Sequence, residues 1–444
     1  MKLQFTTKLL FPLALMMVVV LTFSACASSP ESPYEPAADY TYGYEPGAEE
    51  SSRTGLPHGY LAVGFIEYIS DNFSGRSPFT YREKEMAMWI IDELLAMGHS
   101  TENIEVQEFS YWELIEFGVD GFTPVNWNTV ASELILGNGR DYQLREDRGS
   151  QNVILTLPGQ SERKIIVGAH YDSVPYPGAS DNASGVALLL ESAERMLEAE
   201  HYHTIVYVFF GAEEVGLFGA FYYYESLTPE EHDNVVMMIN ADVLIEGPYV
   251  IYGAGTVPEI DENMYEVLVD AVVYSIVEGF IEDLVRDGEV LDDWLAILED
   301  WAIELTEHFE ERHIATIFQS FDLGILETEV SDTSLRVDAL ATELSETHGV
   351  NLLAVPEGIA FPSDNLVFMA SHTVVNLVGL ERVENIDGVR VPMGPQLNPE
   401  FATTVLHSPY DEFNKIEYLW PGMMLANMSS FGLFLEAILT TSFH

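Results

Sequence analysis

The sequence is poor in basic residues and in cysteine. Among its 444 residues, 18 are lysine or arginine and 72 are aspartate or glutamate, so the formal net charge is −54. A protein that binds nucleic acid needs a basic face toward the phosphates. This composition therefore argues against a nucleic-acid partner. Cys26 is the only cysteine, which excludes a disulfide within the chain.

The first 26 residues have the layout of a bacterial export signal. Lys2 and Lys8 precede an apolar stretch, FPLALMMVVVLTF, and small residues follow it before Cys26. The stretch is too short and wrongly flanked for an ordinary membrane-spanning helix. The tetrapeptide that ends at Cys26 resembles a lipobox, with Phe23 in place of the usual leucine. We therefore expect Cys26 to be lipidated and to anchor the protein outside the cytoplasm on the cell membrane. The alternative is an ordinary cleaved signal and a secreted protein.

Composition divides the rest of the chain into a linker and a domain that contains an insertion. Residues 27–57 are rich in Ser, Pro, Glu, Gly and Tyr without apolar periodicity, which predicts a disordered linker. Residues 58–444 have the apolar content of a globular domain with a large core. Within it, residues 260–345 contain long acidic amphipathic stretches, which predict a helical insertion. A lid over the cleft is one interpretation of that insertion.

The apolar patterns of the domain predict an α/β fold. Four runs dense in Val, Ile and Phe have strand length: 152–157, 164–170, 204–210 and 235–242. Helical patterns occur at 81–97, 185–197, 216–226 and 423–439. Alternation of strands and helices predicts a largely parallel mixed sheet, and strands that are apolar throughout are typical of a sheet covered on both faces. We therefore expect three layers, α/β/α, around a central sheet.

Polar clusters follow the predicted strands, where α/β proteins usually place their sites. They are His170-Tyr171-Asp172, Asp181-Asn182, Glu213-Glu214 and Asp242, with His407 as a fifth. Each has a plain structural explanation when it is taken alone, such as a helix cap, a solvated helix start or a satisfied polar side chain. Together they form a mixed nitrogen and oxygen ligand set of the kind that zinc and related divalent ions prefer. One carboxylate left over beside the metals could act as a general base.

The ordered motifs resemble those of one enzyme family. They are GAHYDS, SDNASGVALLLE, FFGAEEVGLFGAFYY, INADV, PSDN and HSPYDEF. In this order they resemble the M28 zinc aminopeptidases, which are di-zinc exopeptidases with the phosphorylase/hydrolase-like α/β/α fold. The resemblance covers roughly residues 58–440. PSDN departs from the family pattern, because Asn365 stands where the family usually has a histidine.

The resemblance implies a role for each matching residue. It implies that one zinc is bound by His170, Asp181 and Asp242, and the other by Asp181, Glu214 and His407. Glu213 would be the general base for a water shared by the two metals, and Asp172 would orient the ligand histidine. Cobalt or manganese would suit the same ligands.

The expected function is that of an exported, metal-dependent exopeptidase that removes N-terminal residues from peptides. Two other activities remain open on the same fold: a glutaminyl-peptide cyclase with one zinc, and a carboxypeptidase. A non-catalytic receptor or binding protein is the alternative outside enzymes. The ligand set is complete and Glu213 is present, which favours a two-metal hydrolase over these alternatives.

Overall fold

The computed structural model describes most of the domain. The described residues are 55–110, 145, 147, 149–214, 216–256, 330–355, 363–369, 371–381, 383–386, 389–392 and 405–443. The predicted signal with Cys26, the linker up to residue 54 and most of the predicted insertion lie outside them. Those predictions therefore stay predictions.

Helices and strands alternate along the described residues. The helices there are α1 (Tyr60–Asn72), α2 (Tyr81–Ala96), α3 (Ser184–Met196), α4 (Phe218–Ser226), α5 (Pro229–Asp233), α6 (Asp332–His348), α7 (Leu366–Met369), α8 (Phe413–Leu419) and α9 (Met423–Thr440). The strands there are β1 (Ile104–Ser110), β2 (Gly149–Leu157), β3 (Ser161–His170), β4 (His203–Phe210), β5 (Val235–Ala241), β6 (Tyr249–Gly255), β7 (Leu352–Ala354), β8 (Val374–Leu380), β9 (Val383–Ile386) and β10 (Val389–Pro392). The four predicted strands and four predicted helices are all confirmed, with ends that differ by a few residues.

Eight strands form one mixed sheet in the order β1-β2-β4-β3-β5-β8-β6-β7, and β9 and β10 form a separate antiparallel pair. The central neighbours β4, β3, β5 and β8 are parallel. The antiparallel pairings join β1 to β2, β2 to β4 and β6 to β8. At the edge of the sheet, β6 and β7 are also parallel. The α/β prediction with a largely parallel mixed sheet is therefore confirmed, and three of its four parallel pairings lie at the centre.

Each face of the sheet is covered by its own apolar core. Along β3, Ile165 and Val167 belong to the larger core with side chains of α1, α3 and α9. Ile166, between them, belongs to the smaller core with side chains of α4 and α7. Successive strand residues point to opposite faces, so an uninterrupted apolar strand has to be buried on both sides. Truncation of one such side chain, for example Phe210→Ala, costs about 3–5 kcal/mol by loss of burial and cavity formation.

The closing helix α9 belongs to the larger core. Within the described part of the chain it is the one helix long and apolar enough to cross a membrane by length and composition. Phe431, Leu435 and Ile438 are fully buried in the larger core, and α9 packs against α1, α3 and α6. These contacts are those of a core helix. Helix α6, which covers the end of the predicted insertion range, also packs against β6 and β7.

Candidate metal centre

The parallel strands bring the polar clusters to one edge of the sheet. In the register, His170 at the end of β3 lies opposite Phe210 at the end of β4. Gly168 of β3 lies opposite Asn240 of β5, two residues before Asp242. Because parallel strands end at the same edge, the loops that follow them converge there.

The first candidate ligand group is buried. His170 Nε2 lies 3.1 Å from Asp181 Oδ1 and 3.4 Å from Asp242 Oδ1. The side chains of His170, Asp242 and Asp181 are 1%, 5% and 7% exposed. One ligand atom of each residue lies within 4.8 Å of the others. A single divalent ion could therefore contact all three.

The second candidate ligand group shares Asp181 and opens to solvent. His407 Nε2 lies 2.9 Å from Asp181 Oδ2 and 3.3 Å from Glu214 Oε2, and the ligand atoms again lie within 4.8 Å of one another. The His407 side chain is 54% exposed, whereas the side chain of Glu214 is buried. The two oxygens of Asp181 face the two different histidines, which is the geometry that a bridging ligand requires.

Negative charge dominates the electrostatics of the site. Burial raises the pKa of Glu214 and Asp242, and nearby Asp181 adds to both shifts against the lowering effect of the histidines. Burial and the carboxylates Asp364, Glu214 and Asp242 hold the pKa of Glu213 well above its usual range, although His170 opposes them. Buried carboxylates in such number are costly unless cations compensate them. The donor set of imidazole nitrogens and carboxylate oxygens fits zinc or a similar divalent ion.

The two histidines of the site have raised pKa values, because the same carboxylates favour their charged forms. Burial lowers the pKa of His407, but Glu214 and Asp181 raise it more, to about 12. Burial likewise opposes the charged form of His170, while Glu213 and Asp242 hold its pKa well above its usual range. Burial raises the pKa of Asp181, yet His170 and His407 hold it below its usual value. Without metal, protons on the histidines therefore supply part of the positive charge that this cluster needs.

Asp172 holds the turn that carries the two glutamates. Its Oδ1 accepts a hydrogen bond from the backbone N–H of Glu213 at 3.0 Å, and its Oδ2 accepts one from Glu214 at 3.1 Å. His170 Nδ1 lies 3.6 Å from Asp172 Oδ1, which is beyond hydrogen-bond distance. The geometry thus gives Asp172 a contact that sequence reasoning missed, and its effect on the histidine ring stays a prediction.

Two further charged residues support the site, and the sequence did not point to either role. Asp411 is buried and accepts hydrogen bonds from the backbone N–H groups of Ser180 at 2.6 Å and Asp181 at 3.1 Å. Burial raises the pKa of Asp411 to about 7, and the charge of Asp181 adds to the shift. Asp411 follows His407 in the motif HSPYDEF, so only its position in that motif could have drawn attention to it.

Arg76 is a fully buried cation near the site. It donates hydrogen bonds to the backbone carbonyls of Tyr171 (2.6 Å), Pro177 (2.6 Å) and Gly178 (2.8 Å), in the loop between His170 and Asp181. Burial lowers its pKa to about 10, against the opposing effect of nearby carboxylates that include Asp411. Arg76 lies almost a hundred residues before that loop, in a segment between two helices. No local pattern could have predicted the contact.

The backbone takes unusual conformations next to the candidate ligands. Ala212 before Glu213, Val243 after Asp242 and His407 itself have φ values of 55°, 51° and 54°. This left-handed region costs a non-glycine residue about 1–3 kcal/mol, and such residues concentrate at functional sites. Gly178 also has positive φ, and a Cβ there would lie 2.5 Å from the carbonyl oxygen of Asp181. Tertiary contacts therefore hold these loops in shapes that they would not adopt alone.

Asp364 of the PSDN motif is buried close to the first ligand group. Burial holds its pKa well above its usual range, the charge of His170 opposes this, and Asp172 and Asp242 add to it. Its neighbour Asn365 is also fully buried. The candidate site thus includes this segment, although the sequence departs there from the expected motif.

The geometry places two candidate metal-ligand groups at the strand edge of an α/β sheet, and part of this region matches a known protein family. Residues 152–288 match the model of peptidase family M28. This segment contains His170, Asp172, Asp181, Glu213, Glu214 and Asp242, but not Arg76, Asp364, His407 or Asp411. The match covers less than half of the chain, and this segment is therefore similar to peptidase family M28.

Curated relatives match parts of the chain. A probable lipoprotein aminopeptidase, LpqL, from Mycobacterium tuberculosis is 42% identical over 98 residues, which cover 21% of this chain and 20% of that protein. An aminopeptidase from Pseudomonas aeruginosa is 33% identical over 207 residues, which cover 45% of this chain and 37% of that protein. The chain thus spans well under half the length of these relatives.

Two bacterial aminopeptidases are among the solved structures that are similar to this one. The aminopeptidase from Aneurinibacillus sp. strain AM-1 is 15% identical with a TM-score of 0.48, over 87% of this chain and 95% of that one. A zinc aminopeptidase from Bacillus subtilis is 15% identical with a TM-score of 0.46, over 84% of this chain and 94% of that one.

Proposed function

We propose that this protein is a two-metal aminopeptidase that hydrolyses the first peptide bond of peptides with a free N-terminus. The observation that carries the proposal is the pair of ligand groups that share Asp181, with Glu213 beside them. The match of residues 152–288 to peptidase family M28 and the aminopeptidase names of the relatives support the peptide substrate.

In this proposal the chain's own residues move one proton and hold the reacting groups. Glu213 accepts a proton from the attacking water as its oxygen bonds to the scissile carbonyl carbon. Glu213 then passes that proton to the leaving amine as the C–N bond breaks, so a carboxylic acid and an amine are released. Two divalent ions, when bound, would polarise the carbonyl and lower the pKa of water. Burial and neighbouring carboxylates raise the pKa of Glu213, which is the direction that a proton acceptor and donor requires.

We assign the ligands as the resemblance implies. His170, Asp181 and Asp242 hold one ion, and Asp181, Glu214 and His407 hold the other. The exposure of His407 supports an opening on the second position, through which a peptide could enter. Zinc is the metal that the M28 assignment and the donor set favour, with cobalt or manganese as chemically suitable substitutes.

The test combines metal analysis and a substrate pair. Residues 27–444 are purified, metals are measured by elemental analysis, and the same sample is assayed on a free peptide and its N-acetylated form. We expect about two metals per chain and cleavage of the free peptide only. One metal with cyclisation of N-terminal glutamine would assign the protein to the cyclase branch. Absence of metal after zinc is supplied, together with absence of hydrolysis, would contradict the proposal.

We also propose that the protein is a lipoprotein anchored through Cys26 on the outer side of the cell membrane. Its support is the sequence of residues 1–26 and the lipoprotein name of the mycobacterial relative. In cells, the full-length protein should incorporate labelled fatty acid and sediment with membranes. Cys26→Ala should do neither, and an unlabelled wild-type protein in the medium would favour the secreted alternative.

A further inference from the structure

Glu83 is a buried carboxylate behind the candidate site. It lies in the first turn of α2, and its exposed fraction is 0%. A neighbouring charge that acts on it, that of Asp172, is also negative. Burial of such a group is costly unless hydrogen-bond donors satisfy it.

Three donors converge on the two oxygens of Glu83. Oε1 accepts hydrogen bonds from Ser150 Oγ at 2.6 Å and from the backbone N–H of Ala212 at 3.0 Å. Oε2 accepts one from the backbone N–H of Phe79 at 2.7 Å. The carboxylate thus connects the start of α2, the start of β2 and the turn after β4.

The turn after β4 is held by two carboxylates in succession. Glu83 binds the N–H of Ala212, and Asp172 binds the N–H groups of Glu213 and Glu214. Ala212 has a φ of 55°, a left-handed conformation that it would not favour in a free turn. The side-chain oxygens of Glu83 and Asp172 accept these three backbone N–H groups directly, so the hydrogen bonds can hold such a conformation.

We propose that Glu83 is a positioning residue that fixes the direction of the Glu213 side chain through the backbone of Ala212. This inference rests on the proposed function, in which Glu213 is the general base. Glu83 acts at Ala212, the residue before Glu213. Asp172 holds the N–H groups of Glu213 and Glu214 directly, so the two carboxylates act on different points of one turn.

A misplaced base lowers the rate of the chemical step more than it lowers substrate binding. An error of about 1 Å in the position of a reacting group can cost about 100-fold in rate. Metal binding should change little, because the backbone of Glu214 remains held by Asp172. Loss of Glu83 should therefore appear in kcat, with KM and metal content nearly unchanged.

The test compares two buried carboxylates that each accept two backbone N–H bonds. Glu191 is the matched control, since it is 2% exposed and accepts bonds from the N–H groups of Gly59 and Ala62 at 2.8 Å each. It lies in α3 and binds the start of α1, where it has no part in the proposed chemistry. Glu83→Met and Glu191→Met both remove the acceptors and keep a side chain of similar length. The holoenzymes are assayed for kcat, KM, metal content and Tm.

We expect Glu83→Met to lower kcat by about tenfold or more with KM unchanged within about twofold. Glu191→Met should lower Tm to a similar degree and keep the wild-type kcat. Glu83→Gln should recover part of the loss, because an amide oxygen in the Oε1 position can accept from both Ser150 and Ala212. Its NH2 group would face the N–H of Phe79 and could not accept from it. Equal kcat values for Glu83→Met and Glu191→Met, measured below both Tm values, would overturn the inference. A fall in kcat that is matched by loss of metal would overturn it as well.

Glu83→Asp decides the question if Glu83→Met does not fold. It keeps the charge but is one carbon shorter, so it cannot reach Phe79 and Ala212 together. A lower kcat would support positioning, and a wild-type kcat would contradict it. Failure of the proposed function is distinguishable, because the wild-type holoenzyme itself would then not cleave peptides with a free N-terminus.

Discussion

Two buried histidines in different regions of the molecule have opposite electrostatic environments. His99, beside the end of α2, is 4% exposed, and His170 at the strand edge is 1% exposed. Burial lowers the pKa of His99, and a backbone hydrogen bond opposes this only in part. Burial also opposes the charged form of His170, but Glu213 and Asp242 hold its pKa well above its usual range. Both histidines are thus buried. Of the two, only His170 is surrounded by carboxylates that favour a positive charge.

The largest expected effect comes from Asp181→Ala. Asp181 faces both histidines of the site, so its loss removes a ligand from both metal positions. We expect activity to be lost together with metal at both positions, as elemental analysis and a peptide assay would show. A variant that kept the wild-type metal stoichiometry would contradict the bridging assignment.

Glu213→Gln should lower kcat without changing the metal content of the same site. The amide cannot accept the proton, so we expect kcat to fall by about 10²- to 10⁴-fold. Metal content should stay at the wild-type value, because Glu213 is not assigned as a ligand. A near-normal kcat would show that the general base is another group.

His407→Ala should distinguish the two proposed metal positions at the strand edge. It removes a ligand from the exposed group and leaves His170 and Asp242 in place, so about one metal per chain should remain. Asp242→Ala is the matched variant for the buried position. If His407→Ala removed both metals or neither, the assignment of two separate positions would be wrong.

Removal of the metal ions should lower the free energy of unfolding, because the buried carboxylates at the strand edge then lose the cations that compensate their charge. A ligand at 100 times its Kd stabilises the folded state by about 2.7 kcal/mol, and we expect a loss of that order on chelation at comparable metal concentration. Denaturant unfolding of the wild type with and without chelator measures this loss. Asp181→Ala is the control, since it should respond little to the chelator.

The smallest effect concerns His99 and the pH dependence of the metal-free protein. Its pKa is lower in the folded than in the unfolded state, so the unfolded chain binds more protons in the window between the two values. The free energy of unfolding should therefore fall as pH is lowered through 6.5, and level off below the folded-state pKa. This group contributes a slope of at most about 1.4 kcal/mol per pH unit. The free energy of unfolding of His99→Gln should lack this part of the pH dependence. If the variant and the wild type had the same dependence on pH, the assignment to His99 would be wrong.

The sequence predicted the elements of the sheet well because their signals are local. The strands β2 to β5 are runs of apolar residues, and α3 and α9 have helical spacing that the structure confirms. Ordered motifs pointed to His170, Asp181, Glu213, Glu214, Asp242 and His407. Parallel strand ends are expected to meet at one edge, which the sheet order confirms.

The supporting residues could not be predicted in the same way. Arg76, Glu83 and Asp411 act through backbone groups that are distant in the sequence, at separations of about 100, 129 and 231 residues. Their own neighbours in sequence look like turn or helix-start residues. Such contacts depend on how the elements pack.

By itself, the sequence determined the class of the sheet, the acidic character of the chain and the types of ligand available, since these follow from composition and local period. Only the tertiary structure decided that Asp181 faces two histidines at 3.1 Å and 2.9 Å, and that one position is buried while the other is open. It also decided which peptide groups Arg76, Glu83, Asp172 and Asp411 hold. The physical reason is that distances within a site are set by the packing of elements far apart in the chain, whereas propensity and periodicity act over a few residues.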